Sequence, residues 1–235
     1  MLWYKAWLET RLRFLICVIG ITAICVYNVI RMDSGLTSAV NLAYYYSVLH
    51  NATTQLTVVW LLAVNFTTMG GLLREKAVGA ASFTLALPFS RAHLAGVRFA
   101  VGLAEALAML AIPWAAIFLT GSVFGKTHSV SQALLHIVFL ISGGVVYYAI
   151  ALLASSVVEG EYTAPVVSFG VVAVIASTFD RNPWNPLGFM NGGDHYRVHE
   201  GLLTGAIPWT QIAVYALLAA LLVAVSVKAI QMREF

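Results

Sequence analysis

The sequence predicts an all-α membrane protein with six transmembrane helices. Three observations predict it. Of 235 residues, 60% are hydrophobic and only 10% are charged, whereas soluble domains run near about 45–50% apolar and about 25% charged. A soluble chain of this length could not hide so much apolar surface, so the surplus must face lipid. The apolar residues also lie in long runs without alternation, which excludes barrel strands. Polar residues collect between those runs, as spanning helices with short loops require.

The first thirteen residues read as a separate amphipathic helix lying in the membrane interface. Lys5, Glu9 and Arg13 recur at i, i+4 and i+8, and Glu9 ahead of Arg13 is the favourable order for an ion pair. Leu8, Leu12 and Leu15 form the neighbouring stripe, and Trp3 and Trp7 are interface anchors. Such a helix positions the first span or contacts a partner.

Six runs are long enough to span: Phe14–Ile30, Leu56–Leu73, Val97–Thr120, Ala133–Ser156, Thr163–Phe179 and Ile207–Val227. Pro165 suits the first turn of the fifth, where a missing N–H matters little. No repeat or linker divides residues 1–235, which form one membrane domain. With the N-terminus inside, nine of the 13 Lys and Arg residues fall on the cytoplasmic side and four outside. This puts both termini inside and makes the number of spans even. Net charge is +3, too mild to imply nucleic acid as a partner. Cys17 and Cys25 lie in the first run. Eight residues of helix set them roughly 12 Å apart, too far for a disulfide. The long leader and the absence of a small-residue cleavage site argue against a signal peptide.

The loop after the second span carries the most information. It opens with Arg74-Glu75-Lys76 and passes Gly79, Phe83, Leu85 and Leu87 to Pro88. Pro88 disfavours helix at Leu87, so a short apolar helix ends there. Ser90 is placed to cap the third span. An apolar helix on a water-facing surface wants a partner.

Here the sequence resembles the permease subunit of type-2 ATP-binding-cassette exporters. That family shows Arg/Lys-Glu-x-x-x-Gly and then Leu-x-x-Pro-x-Ser-Arg between its second and third spans. Arg74, Glu75, Gly79, Leu85, Pro88, Ser90 and Arg91 match, and Arg98 fits the basic residue that often follows. Trp7-Leu8-Glu9-x-Arg11-x-Arg13 resembles the family's interface helix. One position departs: Ser82 stands where the family often has an acid.

The resemblance implies a cytoplasmic coupling helix within 74–91 that docks on a separate ATPase subunit, which binds ATP and Mg. It implies a homodimer or a heterodimer with a related permease, and short re-entrant helices in the outer loop 180–206. It further implies export of a lipid, peptide, drug or glycan-type substrate, with location in a bacterial inner (plasma) membrane. Contacts to the ATPase would come from Glu9, Arg74, Glu75, Lys76, Gly79, Phe83, Leu85, Leu87, Pro88 and Arg91. This chain itself is expected to bind no cofactor and to perform no catalysis.

Other features are weaker. Gly121–Thr127 falls one residue short of a phosphate-binding loop, and no strand precedes it. Glu105 is the acid well inside a span, so it should line a pathway or a dimer interface, or support helix packing. Asn65 is the other polar candidate there. His195 and His199 would share a helix face and could bind a metal, but two histidines are a thin signal. Asn51-Ala52-Thr53 is a glycosylation sequon in an expected outer loop. Asp180–Pro186 reads as a rigid turn with Trp184 at headgroup level. Gly70, Gly71, Gly143, Gly144 and Gly170 would let helices approach closely. A membrane-embedded enzyme built on Glu105 and His136, or an anchor or sensor without transport, are the competing readings.

Overall fold

The computed structural model describes residues 2–31, 40–68, 90–123, 130–158, 163–178, 182–192, 196–197, 202–203 and 207–232. The helices are α1 (Leu2–Arg31), α2 (Val40–Thr68), α3 (Arg91–Val123), α4 (Val130–Val157), α5 (Thr163–Thr178), α6 (Pro186–Met190) and α7 (Trp209–Met232). Two two-residue strands, β1 (Tyr196–Arg197) and β2 (Leu202–Leu203), pair antiparallel in the loop before α7.

Among the described residues, four helices are long and apolar enough to cross a bilayer, within Leu2–Ile30, His93–Val123, Ala133–Val157 and Trp209–Met232. The chain is accordingly an integral membrane protein by the length and composition of its helices. α5 is apolar but has only 16 residues. The expected second span begins within α2 and runs on past Thr68, outside the described residues. Large apolar side chains such as Ile19, Leu119, Val166 and Leu217 stay exposed, as lipid-facing surface must.

Two sequence expectations change. Residues 1–13 are not a separate helix, because α1 is continuous over 30 residues. Neither proline nor glycine occurs before Gly20, so nothing interrupts the backbone hydrogen bonds. Trp3 is exposed as an anchor should be, whereas Trp7 packs edge-to-face on Phe14 with ring centroids 5.4 Å apart. Likewise, the sequon at Asn51 lies within α2 and not in a loop. No glycine or proline falls between Val40 and Thr68, and helix formation continues through that polar stretch.

The first four helices alternate in direction. α2 runs antiparallel to α1: Asn28 Nδ2 donates to Gln55 Oε1 at 2.8 Å, and Arg13 lies over Phe66 further along. α4 runs antiparallel to α3, with Tyr148 bonded to the Phe99 carbonyl and His136 edge-on to Trp114. Ala6 and Leu2 pack with Val97, while Ile230 packs with Ala95. Both ends of the described chain therefore meet the same end of α3.

α4 is the central helix and touches α2, α3, α5, α6 and α7. Leu140 and Tyr147 on it are fully buried with Met109, Leu110 and Met190. Two adjacent glycines make this packing possible. A Cβ at Gly143 would stand 2.6 Å from the Pro186 carbonyl oxygen, and one at Gly144 would stand 2.6 Å from the Trp60 ring. Gly170, by contrast, faces open space. Gly70 and Gly71 lie outside the described residues.

Candidate functional site

The most densely bonded polar region lies where α1 starts against the start of α3. Ser90 begins α3: its Oγ accepts from the His93 N–H at 3.2 Å, and its carbonyl accepts from the Leu94 N–H at 3.1 Å. The cap expected from the sequence is in place. Arg98 and Glu105 stand seven residues apart, two turns along one face of α3, and α1 covers that face.

Glu9 accepts from Arg98 Nη2 with both carboxylate oxygens, at 3.3 and 3.0 Å. Lys5 Nζ lies 3.8 Å from the same carboxylate. The adjacent Thr10 hydroxyl meets Glu105 Oε1, and the Ala6 and Trp7 carbonyls at 3.3 and 3.4 Å are its alternative acceptors. Glu105 is 2% exposed, and its Oε2 meets no donor among the described residues. A carboxyl at this depth belongs in the bundle interior, and it is found there.

α3 is also held from its other sides. Trp60 Nε1 of α2 donates to the Ala106 carbonyl at 2.9 Å, and the Tyr148 hydroxyl of α4 donates to the Phe99 carbonyl at 2.7 Å. Over two turns, then, α3 is hydrogen-bonded to α1, α2 and α4. The arrangement joins helices.

A second polar cluster surrounds α6. The Asn185 side chain accepts from the Leu187 N–H at 3.0 Å and caps that helix. The Thr57 hydroxyl donates to Asn191 Oδ1 at 2.9 Å, and Gln211 Nε2 donates to the Pro183 carbonyl at 3.2 Å. Because α6 packs on Gly143, it sits ten residues, or roughly 15 Å, along α4 from Ala133. The turn expected ahead of it is present: the Trp184 N–H donates to Asn182 Oδ1 at 2.9 Å.

Of the residues expected to contact an ATPase, Glu9 is engaged with Arg98 and Lys5. Arg91 is the first residue of α3. Arg74, Glu75, Lys76, Gly79, Phe83, Leu85, Leu87 and Pro88 lie outside the described residues. Glu105 sits between α1 and α3 within one chain. Asn65 is 1% exposed, and its amide donates to the Leu61 carbonyl at 2.8 Å.

Glu105 and His136 do not form one site. His136 meets Trp114 edge-on, with ring centroids 5.5 Å apart, and nine residues of α3, roughly 14 Å, separate Trp114 from Glu105. His195 and His199 lie outside the described residues, but Tyr196–Arg197 between them is strand. Among the described residues, no three His, Cys, Asp or Glu side chains group as metal ligands.

Thr10, Tyr148, Trp60 and the pairing of Glu9 with Arg98 escaped the sequence reading. The seven-residue spacing of Arg98 and Glu105 was the available signal, since whatever helix covers one covers the other.

Comparisons with protein-family models, with curated proteins and with solved structures give no match.

Proposed function

We propose that this chain is the permease subunit of a type-2 ATP-binding-cassette exporter. Two copies, or one copy and a related permease, form the pathway. A separate ATPase subunit binds ATP and Mg and docks on residues 74–91. The carrying observation is the continuity of the Arg74–Arg91 motif with Ser90, the cap of α3, whose first turns are bonded to α1. Force applied to the motif would enter α3 and pass to α1 through Arg98–Glu9 and Glu105–Thr10.

The alternating helix directions support six crossings, with α5 and α2 completing the set. The shared position of both chain ends supports an even count. The Lys and Arg bias supports placing those ends in the cytoplasm. α6, set deep against α4, supports a re-entrant segment ahead of the last span. Glu105 then acts as a joint between helices and does not line the pathway. ATP-driven motion requires that docking favour one arrangement of the spans over another.

The test is co-purification of the chain with its candidate ATPase, and transport by the pair in proteoliposomes. Glu75→Lys and Gly79→Pro should abolish the complex and ATP-dependent transport while leaving the permease folded. An unchanged complex with unchanged transport would remove the reading. A complex that forms in the wild type but moves no candidate substrate would favour an anchor or sensor.

A further inference from the structure

α4 carries two tyrosines side by side, and their hydroxyls differ. Tyr147 and Tyr148 are 0% and 3% exposed. Tyr148 points to α3, where its hydroxyl donates to the Phe99 carbonyl at 2.7 Å. Tyr147 lies about 100° round the helix from it and faces the Leu187 backbone in α6 and Tyr215 in α7. The Leu187 N–H is taken by Asn185 Oδ1 at 3.0 Å, and the Tyr147 hydroxyl has no hydrogen-bond partner among the described residues. Tyr215 is 2% exposed, with its ring edge-on to Phe189 of α6 and centroids 5.0 Å apart. Its hydroxyl also has no partner among the described residues. Two buried phenols therefore converge on α6 from α4 and α7, and neither bonds to the other.

We propose that Tyr147 and Tyr215 together hold a buried water molecule against α6. Each phenol can donate one hydrogen bond and accept another. Buried hydroxyls find partners, and where the protein supplies none an ordered water with a few polar neighbours does. A cation would want carboxylate oxygens and an anion a guanidinium or ammonium, and neither kind of group faces this pair among the residues named. Gln211 marks an approach from the surface. It stands one turn before Tyr215 on the same face of α7. Its Nε2 donates to the carbonyl of exposed Pro183 at 3.2 Å, while its Oε1 is buried without a partner among the described residues. Polar groups thus run from the surface at Pro183 through Gln211 to the two phenols. A bridging water is nearly as good as a direct bond, and it can follow small shifts of α6 while both hydroxyls stay satisfied. The water makes the attachment of α6 to α4 and α7 adjustable. This site does not depend on the transport reading.

The experiment is X-ray hydroxyl-radical labelling of the purified full chain in lipid nanodiscs, with oxidation mapped by tandem mass spectrometry. A radical made from a bound water attacks the side chain beside it, so a buried tyrosine is labelled where water touches it. Tyr147 and Tyr215 should be oxidised. Tyr148, comparably buried but bonded to a carbonyl, should not. Tyr147→Phe should remove the label from Tyr215, and Tyr215→Phe should remove it from Tyr147, because each variant loses the water that the two hydroxyls share. A wild type in which either of the pair stays unlabelled overturns the proposal. Equal labelling of Tyr148 overturns it too, since that would report opening of the helix packing and not a bound water. So does a label on one tyrosine that survives loss of the other hydroxyl in a folded variant. Should neither variant fold, the wild-type contrast with Tyr148 decides alone.

Discussion

The Thr10 hydroxyl and the Glu105 carboxyl meet between α1 and α3 across 95 positions of sequence. Beside them, Glu9 and Arg98 form an ion pair at 3.0 Å. Together the two contacts fasten the first third of α1 along the first half of α3.

The Thr10–Glu105 contact should be worth little in stability. Hydrogen bonds between membrane helices average about 0.6 kcal/mol in double-mutant cycles, because the alternative state also finds partners. Thr10 already has local carbonyl acceptors. Thr10→Val and Glu105→Met, which removes the acceptor, should each cost about 1 kcal/mol or less, and their cycle should give coupling of about 0.6 kcal/mol. Glu105→Lys should cost several times more, since a fixed charge would replace a group that can be neutral. Unfolding in mixed micelles against added SDS measures all four. Zero coupling would mean that the contact does not hold the helices together.

Charge reversal tests the neighbouring pair. Glu9 is 35% and Arg98 17% exposed at the side chain, so solvent screens the interaction to about 0.5–1 kcal/mol. Glu9→Arg alone sets like charge against Arg98, and Arg98→Glu alone sets it against Glu9. Both singles should melt below wild type, and the swapped double should recover most of the loss. Lys5 lies 3.8 Å from Glu9 in the wild type and would face a cation at that position in the double, so recovery should be incomplete. Thermal melting of the purified variants reads this. A double no better than the worse single would show that the pair contributes nothing.

Much of the fold was legible because hydropathy marks lipid-facing helices directly. The runs Phe14–Ile30, Val97–Thr120 and Ala133–Ser156 all fall inside single helices, and Thr163–Phe179 takes in the whole of α5. What hydropathy could not show is where helix continues through polar residues. Residues 2–13 and 40–55 are helical because nothing breaks the backbone ladder, and a scale that scores transfer to lipid does not register that. The site was legible only in part. Glu105 announced itself as an acid in an apolar run, and Ser90 as a cap. Thr10 did not, since a threonine on an amphipathic helix resembles any other until α3 is placed beside it. The strand at Tyr196–Arg197 was equally hidden, because it depends on pairing with Leu202–Leu203 and not on local composition.

Two glycines, one on α4 and one on α5, should respond to alanine in opposite senses. At Gly143 a methyl would meet the Pro186 carbonyl oxygen, a backbone atom that cannot swing aside. Gly143→Ala should therefore push α6 off α4 at a cost of about 1–3 kcal/mol. At Gly170 a methyl meets nothing, and Gly170→Ala should be neutral or stabilise by about 0.5–1 kcal/mol through helix propensity. SDS titration of both variants separates close packing from mere glycine content. Equal destabilisation at the two sites would mean that the α4–α6 approach is not as tight as described.

Gly144 and Trp60 should be coupled. A methyl at Gly144 would lie 2.6 Å from Cη2 and 2.8 Å from Cζ3 of Trp60. The indole cannot rotate away cheaply, because its Nε1 is bonded to the Ala106 carbonyl at 2.9 Å and the side chain is 2% exposed. Gly144→Ala should thus cost about 1–3 kcal/mol by overpacking. Trp60→Phe removes the hydrogen bond, at about 1 kcal/mol, and also the two ring atoms that stand against Gly144. In the double variant the new methyl occupies the space those atoms leave. Its loss of stability should fall short of the summed singles by about 1 kcal/mol or more, the size expected for residues in contact. Intrinsic fluorescence during SDS unfolding follows the singles and the double through the other tryptophans. Additivity within about 0.3 kcal/mol would mean that α2 and α4 do not meet at this point, and that Trp60 is held by α3 alone.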